Sequence, residues 1–210
     1  MRLTVFGATG ETGRLLIEQA LAAGDYVVAY ARDASKLELK HEHLTVMKGE
    51  LNDPPGIEQA VSGVDAVISV LGPRGRSKGK PITEGTENII AAMKKQGVRR
   101  LVISSTASAK DPNDRPELRF RVMIGIIKLL VHAAYEEIVS TAEAVRRSDL
   151  DWTIVRLSLL NNGPRSGTVK VGFMGRREVG TRVSRADIAD FMLKQVQDKK
   201  CLRQAPLISS

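Results

Sequence analysis

Cysteine occurs once in this chain, at Cys201. A lone thiol closes no disulfide within the chain and supplies no cysteine metal cluster. Aromatic residues make up 4% of the sequence, so the core must be aliphatic, and its Val, Ile and Leu runs suggest buried parallel strands. Long apolar runs are also scarce. The longest, residues 122–134, carries Lys128 and His132 within it and is too short to cross a bilayer. Residues 1–6 enter a strand pattern directly, without the apolar stretch and cleavage site of a leader, so a cytosolic protein with no membrane partner is expected. The histidines, His41, His43 and His132, have no metal-ligand spacing, and no metal is expected.

What remains is an ordinary globular composition, 42% hydrophobic and 27% charged over 210 residues. That length suits one large domain with a full core. The formal net charge is +8, and a basic surface attracts phosphates, whether of a nucleic acid or of a dinucleotide. The basic pairs Lys94-Lys95, Arg99-Arg100, Arg146-Arg147, Arg176-Arg177 and Lys199-Lys200 are scattered near predicted helix ends and turns. They read as solvated helix ends. The competing reading, a nucleic-acid footprint, lacks aromatic interleaving and any DNA-reading motif, so no nucleic-acid partner is expected.

Strand and helix patterns alternate. Strands are expected at residues 2–7, 26–31, 44–47, 65–71, 100–104 and 152–156, with a short last one at 206–208. Helices are expected at 11–23, around 57–61, at 82–96, as one long segment over 117–147, and at 184–197. Strands separated by helices require a parallel sheet with right-handed crossovers. The expected fold is therefore α/β: a Rossmann-type doubly wound parallel sheet with helices on both faces. Two segments break the rhythm, a turn-rich loop at 109–116 and a stretch at 161–183 holding short strands at 168–172 and 177–183. Both follow C-terminal strand ends, the edge where open α/β sheets bind ligands.

The turn Gly7-Ala8-Thr9-Gly10-Glu11-Thr12-Gly13 joins the first strand to the first helix. Gly7 permits the tight bend, Gly10 the approach of a pyrophosphate, and Gly13 the close packing of helix on strand. The helix N-terminus offers free N–H groups and a positive dipole end, and Thr9 and Thr12 add hydroxyls. A complete strand–turn–helix–strand unit surrounds the motif, which is the context that identifies a dinucleotide site. An acidic residue about 20 positions past the turn holds the ribose of NAD. Here the second strand ends Tyr30-Ala31-Arg32-Asp33. Arg32 at that point suits the 2′-phosphate of NADP(H), with Lys36 near enough to help and Asp33 capping a short helix just after it. Glu50 and Leu51 after the third strand are expected to flank adenine, and Leu71 and Gly72 after the fourth to pass close to the cofactor. The basic, glycine-rich run of residues 73–80 is either a flap over the cofactor or a solvated loop.

These segments, in this order with Glu84-Gly85-Thr86-Glu87-Asn88-Ile89, Gly97-Val98-Arg99-Arg100-Leu101-Val102, Asp151-Trp152-Thr153-Ile154-Val155-Arg156 and Val183-Ser184-Arg185-Ala186-Asp187-Ile188, carry a likeness over nearly the whole chain. The GxxGxxG spacing is that of the short-chain dehydrogenase/reductase superfamily. The chain resembles its atypical, single-domain NAD(P)-binding branch, the biliverdin reductase B/flavin reductase group that shades into the NmrA-like proteins. The resemblance implies one NAD(P)-binding domain over residues 1–210, with 109–121 and 159–183 as substrate-side loops. It implies cofactor contacts at Ser104, Ser105 and Thr106, then at Leu157 and Ser158. It also implies NADPH-dependent hydride transfer to a small planar conjugated acceptor, such as a flavin, a quinone or a bilin. The protein then mainly binds and orients.

The sequence also departs from that family. Four residues after Tyr135 stands Val139, so the Tyr-x-x-x-Lys pair of most short-chain dehydrogenases is absent. The pocket histidines of biliverdin reductase B are replaced by Ile138 and Leu159, and the polar groups nearby are Glu136, Glu137 and Asn161. Thr106 and Ser105, at the sheet's C-terminal edge, are the first candidates for a substrate-facing hydroxyl, with Tyr135 next. A bland role is open for each: a backbone-bonded hydroxyl, or a packed helix tyrosine. A non-catalytic NADP(H) sensor that binds a partner protein is the alternative function, and a monomer or small homo-oligomer is expected.

Overall fold

The computed structural model of the chain describes residues 1–73, 79–176 and 178–210 and, for residues 118–121, 123 and 127, the backbone alone. Strand β1 (Arg2–Phe6) turns into helix α1 (Glu11–Ala22), and β2 (Tyr26–Ala31) comes next. One 3-10 turn, Ala34–Lys36, precedes β3 (Leu44–Lys48), α2 (Pro54–Val61), β4 (Ala66–Ser69), α3 (Pro81–Lys95) and β5 (Arg100–Thr106). Then come α4 (Leu118–Leu130), α5 (His132–Arg147), β6 (Asp151–Leu157), β7 (Leu159–Asn161), β8 (Lys170–Gly172), β9 (Arg182–Ser184), α6 (Arg185–Gln197) and β10 (Leu207–Ser209).

The main sheet has the order β3-β2-β1-β4-β5-β6-β10-β8. All neighbours are parallel except β8, which runs antiparallel to β10 at one edge. The strand order reverses between β1 and β4, which opens a crevice beyond their C-terminal ends. Alternation along each strand serves two cores. Leu3 and Val5 of β1 face Leu16, Ile17 and Ala20 of α1 and Ile188 and Met192 of α6. Phe6 belongs to the opposite face, with Ile57 of α2, Ile89 and Met93 of α3 and Val145 of α5. Each fully buried Leu, Ile or Phe contributes about 1.5–3 kcal/mol of transfer free energy, so a sheet buried on both faces holds without staples. This is the Rossmann-type doubly wound arrangement expected from the alternating pattern.

Helix ends fall where the local chemistry puts them. Asp53 accepts from Gly56 N at 3.2 Å and starts α2 with Pro54 in its first turn. Ser184 accepts from Asp187 N at 3.0 Å and starts α6. Asp33 accepts from Ser35 N at 3.2 Å, capping the 3-10 turn as expected.

Three features depart from the expected pattern. The helical segment over 117–147 is two helices, because Val131 leaves helical torsion (φ −132°, ψ 49°). No glycine or proline marks that break, so pattern alone runs straight through it. The strands expected at 168–172 and 177–183 are present only as shorter pieces, β8 (Lys170–Gly172) and β9 (Arg182–Ser184). Residue 177 lies outside the described residues, β8 pairs with β10, and β9 pairs with β7 in a separate two-stranded ribbon. β7 itself, Leu159–Asn161, was not expected as a strand; too short for a period of two to show, it is fixed by its partner. Among the described residues no helix is long and apolar enough to cross a membrane. α4 nevertheless leaves Leu129 82% and Leu130 74% exposed.

Candidate functional site

The crevice at the strand reversal is a groove of about 420 Å³ that begins at the first turn. Gly7 has φ +83°, and a Cβ there would lie 2.9 Å from the Val70 carbonyl. A Cβ on Gly13 would lie 2.3 Å from the Gly7 oxygen. Both positions therefore exclude a side chain, and they bring the start of α1 down onto the ends of β1 and β4. Gly10 N donates to Gly7 O at 3.0 Å and closes the turn. Gly10 is also the residue before α1 and has no side chain to cap it. The first N–H groups of α1 are thus left for an anion, with the dipole behind them.

Arg32 stands on the groove's lip past β2. Its exposed guanidinium has no ion pair or hydrogen bond among the described residues, whereas the neighbouring Lys36 ammonium lies 3.5 Å from Asp33. Seryl hydrogen bonds hold the Asp33 carboxyl below the usual carboxylate range, with Lys36 assisting. The acid at this corner is therefore engaged, and Arg32 is the charge left over.

The far wall carries Gly49, Glu50, Leu51 and Asn52. Tyr30 underlies it and donates to Glu50 O at 3.1 Å. Burial, then Asp53 and Glu50, push the Tyr30 hydroxyl pKa up, so it stays a donor. A Cβ on Gly49 would lie 2.1 Å from that hydroxyl, so residue 49 must be glycine while residue 30 is tyrosine. Asn88 of α3 donates to Leu51 O at 2.9 Å and ties this wall to the third helix.

A second cavity of about 220 Å³ shares Val70, Leu71, Gly72 and Pro73 with the groove and continues along the sheet edge. Thr12, the ends of β5 (Ser104, Ser105, Thr106) and β6 (Leu157), Leu160, and Glu137, Ile138 and Thr141 of α5 complete it.

The groove thus brings together Gly7, Thr9, Gly10, Arg32, Glu50, Leu51, Leu71 and Gly72, and the second cavity adds Thr12, Ser104, Ser105, Thr106 and Leu157. Four candidates lie elsewhere. Gly13 is buried beneath the turn. Glu11 faces Arg185, 2.8 Å away. The Ser158 hydroxyl donates to Ile208 O at 2.8 Å. Tyr135 packs with Ile124, Met174 and Leu207, and the Lys128 ammonium sits 5.6 Å from its ring centre. The reason is helical phase: Glu137 faces the cavity, and two residues earlier is about 200° around the helix. Most of the basic run of residues 73–80 lies outside the described residues.

Two buried charged groups not among the expected site residues brace this end of the sheet, and the first of them lines the second cavity. Glu137 closes the α3 N-terminus, accepting from Ile82 N at 2.9 Å and Thr83 N at 2.8 Å. Arg156, 0% exposed, forms a two-pronged pair with Asp114, both N···O distances 2.7 Å. Asp114 also accepts from Met174 N at 2.9 Å and Asp111 N at 2.8 Å, joining the loop after β5 to the segment after β8. Burial pushes the Asp114 carboxyl up, but the bonds from Arg156, Asp111 and Met174 outweigh it and hold it low. The segment at 109–116 is therefore clamped rather than loose. A hint was present in the sequence, since Arg156 is a charge ending an apolar strand, but its partner 42 residues away was not.

Residues 7–199 match the family model described as NAD(P)H-binding. The chain is 30% identical over 181 residues to an uncharacterized chloroplastic protein of Arabidopsis thaliana, covering 80% of this chain but 62% of that protein. A wide-type short-chain dehydrogenase/reductase from Veillonella parvula, solved in complex with NADP, superposes with TM-score 0.81 at 20% identity over 100% of this chain and 94% of that one. ChuY, an anaerobillin reductase from Escherichia coli O157:H7, superposes with TM-score 0.75 at 21% identity over 100% and 97% of the two chains.

Proposed function

From a chain that belongs to the NAD(P)H-binding family, we propose an NADPH-dependent reductase acting on a small planar conjugated acceptor such as a flavin, a bilin or a quinone. The observation that carries the cofactor half is Arg32: an exposed, unpartnered guanidinium on the lip of a groove whose bend excludes side chains at Gly7 and Gly13. The residues fit a dinucleotide. The uncapped α1 N-terminus takes the diphosphate, Gly49–Asn52 bracket the adenine, and Arg32 forks onto the 2′-phosphate. The bound nicotinamide supplies a hydride.

The second cavity supports the acceptor half. Its walls are Leu71, Leu157, Leu160 and Ile138, with hydroxyls from Ser104, Ser105 and Thr106. Apolar walls exclude water and hold a flat ring, and Thr106 or Ser105 donates to an acceptor oxygen or nitrogen as charge develops there. ChuY, a bilin reductase on the same fold, is consistent with such a ring. The absence of Tyr135 from the cavity lining favours a second reading, a sensor that binds NADP(H) without turnover.

Fluorescence titration with NADPH and NADH, beside NADPH oxidation with FMN, biliverdin and menadione, separates these. Removing one charge-assisted phosphate contact costs about 1.5–3 kcal/mol, so Arg32→Ala should weaken NADPH roughly 10- to 100-fold and NADH less than about twofold. Equal losses for both would end the 2′-phosphate assignment. Tight NADPH binding with no turnover on any acceptor would favour the sensor.

A further inference from the structure

We infer that Glu137 is a cofactor-binding residue whose free carboxylate oxygen receives the hydroxyls of the nicotinamide-side ribose. The inference rests on the dinucleotide reading of the groove. Glu137 is 2% exposed, and its carboxylate is the sole charged side chain among the described residues lining the second cavity. Its two oxygens are used unequally. Oε1 accepts from Ile82 N at 2.9 Å, Thr83 N at 2.8 Å and Thr83 Oγ1 at 3.2 Å. Thr83 Oγ1 in turn lies 3.1 Å from Thr141 Oγ1. These contacts fix the rotamer.

Oε2 has no hydrogen bond among the described residues. The buried side-chain oxygens without a partner are Gln19 Oε1 and Gln195 Oε1, and Glu137 Oε2 is not one of them. The spare oxygen is therefore accessible, on a side chain that lines the cavity. The neighbouring acid, Glu136, is instead 3.7 Å from the Lys80 ammonium.

A carboxylate oxygen without a partner, on a nearly buried side chain of the cavity wall, is costly until a donor meets it. Its place on the fold identifies the donor. Pro81 and Ile82 of α3 line the groove, and Glu137 caps that same turn from the second cavity, so it stands at the seam between the two. With adenine on Gly49–Asn52 and the diphosphate on α1, a dinucleotide crosses that seam with its second ribose. Beyond the seam lie Ser104–Thr106 and Leu157, where the ring would rest. A carboxylate is the acceptor that Rossmann sites use for a ribose diol, and one already oriented by a helix N-terminus loses little freedom on binding.

Calorimetric titration of the wild type and Glu137→Gln tests this with NADP+ and with 2′,5′-ADP, which lacks the second ribose. Glu137→Gln keeps an oxygen for Ile82 and Thr83. The expected result is a loss of at least about 10-fold for NADP+ and less than about twofold for 2′,5′-ADP, the range set by charged hydrogen bonds. Equal losses, or no loss for NADP+, would overturn it. A measurement on the wild type alone guards against a variant that fails to fold. Periodate opens only the nicotinamide-side diol of NADP+, since the 2′-phosphate protects the other ribose, and the opened molecule should bind at least about 10-fold more weakly. Equal affinity overturns the inference. If 2′,5′-ADP binds no better than 5′-AMP, the 2′-phosphate reading fails by itself, and NAD+ against ADP carries the same comparison for Glu137. A wild type that binds no dinucleotide ends both.

Discussion

The two halves of the crevice are built by different means. Around β1 and β2 the walls are backbone: a glycine at φ +83°, a second glycine where a Cβ would lie only 2.3 Å from a carbonyl oxygen, and an uncapped helix. Around β5 and β6 the structure is held by buried charge: Arg156 of β6 forked onto Asp114 of the loop after β5, and Glu137 of the cavity wall across the start of α3. The first construction tolerates no added atom. The second tolerates no lost partner. Substitutions should therefore fail in opposite ways in the two halves.

The largest effect is expected from the charged half. Asp114→Ala leaves a fully buried guanidinium unpaired and should cost about 3–5 kcal/mol in urea unfolding. Replacing both Arg156 and Asp114 by leucine should recover much of that loss. A single-variant cost below about 1 kcal/mol would show that water reaches the pair and that the contrast is false. The same pair sets an acid limit. Because the folded Asp114 pKa is lowered, its contribution is complete above the unfolded carboxyl value of about 4 and is lost as pH falls through the folded value. Wild-type stability should drop more steeply in acid than that of Asp114→Asn.

Next in size is the backbone half. Gly13→Ala sets a methyl against the Gly7 carbonyl and should cost about 1–3 kcal/mol of stability. It should also displace the α1 N-terminus enough to weaken NADPH by more than about 10-fold, read by fluorescence titration. Unchanged affinity would mean that the turn yields and that its geometry is not what binds. Smallest is a test within the second cavity. Thr106→Ala should lower acceptor turnover by about 10-fold, and Tyr135→Phe by less than about twofold, since Tyr135 lies outside the lining. The reverse order would move the chemistry onto α5's other face.

The same contrast explains what was legible in the sequence. The backbone half is written in adjacent residues. Seven positions carry the turn, Arg32 closes the next strand, and Asp33 caps the turn after it, so each was readable where it stands. The parallel sheet needed only the alternation of helix and strand. The charged half is written across distance. Arg156 needs Asp114, Glu137 needs Ile82 and Thr83, and no local period links them. The break at Val131 and the pairing of β7 with β9 were missed for the same reason: tertiary contacts decide them, and neither glycine nor proline announces them. Tyr135 is the instructive case, since its residue type suited the chemistry and its helical phase did not.

The contact between Tyr30 and residue 49 has an evolutionary corollary. Two positions 19 apart in the chain are interlocked, one filled by a ring, the other necessarily bare. Mutating either alone leads downhill: a side chain at 49 collides with the phenol, and a smaller group at 30 leaves a void beneath the groove wall at Gly49 and Glu50. A library that diversifies residue 49 while residue 30 stays tyrosine should therefore return glycine.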